Sequence, residues 1–160
     1  DTFTDWNFGL IGSFKLGENK NTNKYANQII NKFSKIGSRA MFYGFQNHQS
    51  VQNKMKSASI IIIPSIWQEP FGLVAAEAMS NGACIIASKV GGITEIIENN
   101  GILIENVDHL KLKKTLIKVL NNRKLLEDYQ KKSWNNFKFS SQISSRKLDE
   151  FREIISTEYF

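Results

Sequence analysis

Apolar residues along this chain gather in short runs, separated by longer stretches in which they recur three and four positions apart. Runs of strand length fall at 8–14 (FGLIGSF), 40–43, 59–63 (SIIII), 83–87 (ACIIA) and 101–105 (GILIE). Between them the spacing predicts helices. One covers 25–36, with Ile29, Ile30 and Phe33 on one face, and a short one covers 48–57, with Val51 and Met55 four apart. Others cover 71–81 and begin at about 93, and helical pattern fills the chain from 108, with breaks near 121–122 and 139–141. Gly37, Gly44 and Gly82 stand where elements should stop, and Asp108 and Ser140 or Ser141 are candidate N-caps. The run at 59–63 is almost wholly apolar and β-branched, so it should be buried on both faces, as in a parallel sheet covered by helices. Strands alternating with helices through short loops predict right-handed βαβ units and an α/β, doubly wound parallel sheet in three layers, followed by C-terminal helices. No internal repeat, low-complexity tract or linker interrupts it, so residues 1–160 read as one domain.

Composition narrows the class. At 160 residues, 41% hydrophobic and 22% charged, the chain is an ordinary globular one with enough length for a core. Its one cysteine, Cys84, lies inside an apolar run and reads as a small buried hydrophobe, compatible with a reducing cytosol. The expected location is cytoplasmic, because no signal peptide and no run long enough to cross a bilayer is present. The net charge of +6 comes from lysines scattered through the second half. Solvated helix faces account for them first; attraction to an anionic membrane surface is a second reading. No basic stripe interleaved with aromatics points to nucleic acid. His48 and His109 are far apart, with no cysteine or paired carboxylates beside them, so both read as surface residues and no metal is expected.

In an open α/β sheet, ligands bind beyond the carboxyl ends of the strands. Four loops qualify: GSFKLGENK, YGFQNH, PSIWQEPFG and SKVGG. The third is the most informative. Pro70 is tolerated at a first helical turn, and Gly72 lets backbone approach a ligand closely. The free N–H groups of Phe71, Gly72 and Leu73 would then face outward at the positive end of a helix dipole, an arrangement that binds phosphate without a basic side chain. Glu77 lies roughly 8–9 Å further along the axis, amid apolar neighbours, and its side chain leans back toward the N-terminus. Glu69 sits in the loop on the other side. Two carboxylates flanking an anion site suit a ligand with hydroxyls at both ends and a diphosphate between, which describes a nucleotide sugar. The competing reading pairs Glu77 with a Lys or Arg of a neighbouring helix and leaves Glu69 as a cap.

The stretch PSIWQEPFGLVAAEAMSNGACIIASKVGGITEII resembles the signature of the retaining family-4 glycosyltransferases, group 1, of the GT-B fold. The match runs through Pro64, Ser65, Glu69, Phe71, Gly72, Glu77, Ala78, Met79, Gly82, Gly91, Gly92 and Glu95. FYGF at 42–45 resembles the family's Phe-x-Gly segment, DWNFGLIGS the strand before it, and Phe139–Ser140 the start of its last helix. The resemblance implies a Rossmann-like, C-terminal donor-binding domain. It implies that Glu69 contacts the donor sugar and stabilises the reacting centre. It further implies that the backbone of Phe71, Gly72 and Leu73 holds the diphosphate and that Glu77 binds the ribose hydroxyls. Gly44 and Phe45 would lie against the base, and Gly91 and Gly92 would allow close approach beside the sugar. The implied substrate is a nucleotide-diphosphate sugar, with UDP the suggested nucleotide and a lipopolysaccharide or capsular glycan the suggested product. No cofactor is required, and the absence of an Asp-x-Asp motif argues against the metal-dependent class.

One departure matters. The family's nucleotide half begins with a further strand and helix carrying an Arg and a Lys that clamp the phosphates, and DWNFGLIGS matches the second such unit better than the first. Lys15 and Lys20 have a similar separation but read better as loop lysines. The N-terminal acceptor domain is also missing, so the chain is expected to be the donor half of a larger enzyme and inactive alone. Two other classes compete: a non-catalytic nucleotide-binding or regulatory module, and a receiver- or flavodoxin-like domain, which the scarcity of Asp at strand ends disfavours.

Overall fold

The computed structural model describes residues 3, 5–12 and 20–159, the side chains of 20–26 and 155–159 excepted. Its contacts divide the chain into two compact units, residues 1–54 and 55–160. In the first, strand β1 (Phe8–Ile11) leads to helix α1 (Lys20–Ser34), a 3-10 turn at Gly37–Arg39 and strand β2 (Ala40–Gly44). Helix α2 (His48–Ser57) carries the boundary between the units. The two strands pair in parallel, Phe8 opposite Ala40 and Leu10 opposite Phe42, with a slip that sets Ile11 opposite Gly44. β1 is shorter than the apolar run predicts; residues 13 and 14 lie outside the described ones. α1 starts five residues earlier than its apolar stripe, because the Asn- and Thr-rich lead-in at 20–24 is only mildly unfavourable to helix and local propensity yields readily to context.

The second unit contains strands β3 (Ile60–Ile63), β4 (Cys84–Ser88) and β5 (Ile102–Ile104), in the order β3-β4-β5 and all parallel. Helices α3 (Leu73–Ser80), α4 (Gly91–Ile97), α5 (His109–Leu120), α6 (Arg123–Asn135) and α7 (Ser141–Tyr159) complete it. Alternate side chains of β4 build opposite cores. Ile85 and Ala87 pack with Ala75, Met79, Ile93 and Ile97 of α3 and α4, whereas Cys84 and Ile86 pack with Val119, Leu112, Leu116 and Leu126 of α5 and α6. Helices on both faces of a parallel sheet give the three-layer α/β arrangement that the alternation of elements requires.

Burial on both faces therefore falls on β4, every residue of which is buried. The expectation that β3 would be so buried is corrected: Ile62 is 38% exposed. Among the described residues, β3 stands at the edge of its sheet and pairs with β4 alone. The two predicted N-caps, Asp108 and Ser140, are present, whereas α4 starts two residues earlier than its predicted start near 93. Asp108 accepts from the N–H groups of Leu110 and Lys111, both at 2.8 Å. Asn122 Oδ1 caps α6 through Leu125 at 2.9 Å, and Ser140 Oγ caps α7 through Ile143 at 3.3 Å.

Candidate active site

The segment after β3 reaches α3 through a loop whose last residue, Gly72, has φ of 89°, a left-handed conformation that keeps it out of the helix. α3 therefore begins at Leu73, two residues later than its apolar pattern suggests, and Pro70 lies ahead of the first turn. A Cβ on Gly72 would come within 3.0 Å of Ile93 Cγ1, so the position is closed to side chains on that count too. The Gly72 carbonyl accepts from Ala75 and Ala76 at 2.9 and 3.3 Å. The N–H groups of Phe71, Gly72 and Leu73 donate to no acceptor among the described residues. They are the donors that a helix start leaves for a ligand or water.

Glu69 is held in place by its own loop. Its Oε1 accepts from Trp67 Nε1 at 2.9 Å and from Ser65 Oγ at 3.2 Å. Its carbonyl accepts from Gly92 N–H at 2.7 Å. Next to it, Gln68 Oε1 accepts from Gly91 N–H at 2.8 Å. Gly91 and Gly92 are thus engaged with the loop by both backbone and shape. A Cβ on Gly91 would lie 2.3 Å from the Glu69 carbonyl oxygen, and one on Gly92 would lie 2.4 Å from that of Phe71. The close approach these two glycines permit is to the 69–71 backbone, which seats the first turn of α4 against the glutamate.

Glu77 is half-buried. The premise that it stands in a buried apolar run is corrected: Ala75, Ala76, Ala78 and Met79 are buried, but Phe71, Leu73 and Val74 are 47%, 67% and 49% exposed. α3 has one face in the core and one outside, and Glu77 lies at their border. It lines a shallow depression of about 350 Å³ with Leu73, Ala76, Ser80, Phe137 and Phe139. A second depression, of about 310 Å³, lies beyond Phe71 and is bordered by Gly92, Glu95, Glu98, Lys138 and Lys147. The Phe71 ring meets Phe139 edge-on at 5.8 Å where the two adjoin. Glu69 lines neither.

Glu69, Phe71, Gly72, Leu73, Glu77, Gly91 and Gly92 all belong to the second unit. Gly44 and Phe45 belong to the first, where Gly44 has φ of 62° and accepts from Gly12 N–H at 3.0 Å, and Phe45 is exposed. Lys15 lies outside the described residues, and Lys20 opens α1. Lys89, the lysine of the SKVGG loop, is joined to Glu105 at 2.6 Å, and this hydrogen bond holds the Glu105 carboxyl below its ordinary range. His48 and His109 are exposed. Cys84 is buried, and loss of solvent pushes its thiol up to about 12. No three His, Cys, Asp or Glu side chains among the described residues gather as a metal ion would need. No described helix is long and apolar enough to cross a membrane.

Residues 2–136 match the family described as Glycosyl transferases group 1. The chain belongs to that family. An uncharacterized glycosyltransferase of Methanocaldococcus jannaschii is 32% identical over 146 residues, covering 89% of this chain and 38% of that protein. The lipopolysaccharide 1,2-N-acetylglucosaminetransferase of Salmonella typhimurium is 34% identical over 74 residues, 46% of this chain and 19% of that one. The crystal structure of Anabaena HepE with UDP and glucose superposes with a TM-score of 0.69 at 24% identity, over 81% of this chain and 34% of that one. The fold of this group 1 chain is accordingly the Rossmann-like fold of GT-B glycosyltransferase domains. It spans well under half the length of each of these relatives.

Two contacts of this glycosyltransferase chain have no counterpart in the sequence reading: the Trp67 and Gln68 side chains that tie the loop down. Trp67 sits two positions before Glu69, a spacing that carries no directional signal in a loop. Gln68 bonds a residue 23 positions away.

Proposed function

We propose that this chain is the donor-binding half of a retaining glycosyltransferase that moves a sugar from a nucleoside diphosphate, UDP by preference, to a glycan or lipid-linked acceptor. The observation that carries the reading is the start of α3: unclaimed N–H groups at 71–73, with Glu69 fixed on one side and Glu77 a little over a turn inside the helix. Donors so placed take up a diphosphate and stabilise the charge that develops on it as the glycosidic bond breaks. Glu77 accepts from the ribose hydroxyls, and Glu69 accepts from hydroxyls of the sugar beside the reacting carbon. The glycines at 91 and 92 keep the loop close to the sugar.

The acceptor site, an upstream strand–helix unit with an Arg and a Lys for the phosphates, and an N-terminal domain belong to the rest of the polypeptide in this proposal. A surface glycan such as lipopolysaccharide or capsule is the proposed product class, supported by the Salmonella relative. The proposed location is the cytoplasm, at the inner face of the membrane, and the net charge of +6 supports peripheral contact with anionic lipid. Isothermal calorimetry on the complete polypeptide tests the nucleotide site. UDP should bind and inorganic diphosphate should bind more weakly, with Glu77→Ala removing most of the difference. Equal binding of the two ligands by the unaltered protein would overturn the assignment of Glu77. The anomeric configuration of the product, read by proton NMR, tests retention.

A further inference from the structure

Both side-chain hydrogen bonds to the Glu69 carboxylate arrive at the same oxygen, Oε1, from Trp67 Nε1 at 2.9 Å and Ser65 Oγ at 3.2 Å. Oε2 accepts none among the described residues. The carboxylate is therefore fixed in rotation while one oxygen keeps its lone pairs for something outside the protein. Trp67 is an odd side chain to find in this place. It is 61% exposed, and no described aromatic ring pairs with it, so burial and stacking do not account for it. The indole N–H is a pure donor on a stiff, two-torsion side chain, well suited to holding an acceptor still. The loop beneath it is fastened independently by the Gly92 N–H to Glu69 carbonyl bond and the Gly91 N–H to Gln68 bond.

We propose that Trp67, aided by Ser65, is a positioning residue: its indole N–H pins Glu69 Oε1 so that Oε2 is presented to a hydroxyl of the donor sugar. The inference rests on the proposed role of Glu69 and adds the residue that sets its orientation. Preorganisation of this kind acts on the reacting centre, and a misplacement of about 1 Å at such a group costs on the order of 100-fold in rate.

The test is a double-mutant cycle on the complete polypeptide with Trp67→Phe and Glu69→Gln. Trp67→Phe keeps an aromatic ring and removes the donor. Turnover should fall on the order of 10- to 100-fold, with UDP affinity by calorimetry unchanged within about twofold. In the Glu69→Gln background the same change should cost less than about twofold more, because its effect passes through the carboxylate. Ser65→Ala should give a smaller loss with the same dependence. The indole Nε1–H resonance of Trp67 should move in Glu69→Gln, a signature that a packing role would not produce. Unchanged turnover in Trp67→Phe, or an equal loss in both backgrounds, would overturn the proposal while leaving the role of Glu69 intact. Unchanged turnover in Glu69→Gln itself would overturn both.

Discussion

Gly91 shows how little freedom this site has. Its φ is 46°, a conformation that L side chains adopt at a cost, and a Cβ there would press into the backbone oxygen and nitrogen of Glu69. Gly91→Ala should therefore destabilise the second unit by roughly 1–3 kcal/mol, read by denaturant unfolding, and displace the glutamate as well. Turnover of the complete polypeptide should drop with it. Cys84 supplies a contrasting expectation. With its thiol held near 12 by burial, it stays neutral and unreactive across the physiological range. A thiol reagent at pH 8 should label it only when the chain is unfolded. The sign of its pH dependence follows from the raised value: the buried thiol favours the fold fully below the ordinary thiol range, around 9, and that preference is lost as pH climbs toward 12.

α5, α6 and α7 each begin at a capping side chain, and α3 begins after a left-handed glycine. α5 starts at an aspartate that accepts two N–H groups, and the Lys111 amide hydrogen bond, followed by that of Leu110, lowers the Asp108 carboxyl below its usual value. Its contribution is present above the ordinary carboxylate range and is lost as pH falls through the lowered value. Asp108→Ala should lower the thermal midpoint at pH 7, Asp108→Asn should restore most of it, and the gap should close in acid. Caps of this kind were legible in the sequence, as were five apolar runs and the helices between them, because each depends on residues within one turn of one another. What could not be read there involves distance. The start of α3 at Leu73 depends on the left-handed backbone of Gly72, which lies against Ile93, a residue far along the chain. The edge position of β3 depends on which strands find partners, and an unbroken isoleucine run looks alike at an edge and in the middle. Glu77 appeared submerged because Leu73 and Val74 are apolar, yet their side of the helix faces outward.

At the scale of the whole chain there are two compact units, and the match spans 38% of the archaeal relative's length. Sugar transfer requires an acceptor held against the donor, and both the acceptor and the clamping cations are proposed to lie in the remaining polypeptide. The 160-residue chain alone should show no transfer above background in a radiolabelled UDP-sugar assay, whereas the complete polypeptide should turn over. The outer edge of β3 has a practical consequence for anyone preparing the short form. Among the described residues the strand pairs with β4 alone, and its four consecutive isoleucines include no proline or charge to deter a second copy. Such an edge is a template for self-assembly. Purified alone, the short form should scatter light increasingly with time and concentration, and Ile62→Lys should suppress that scatter without altering the thermal midpoint by more than a few degrees.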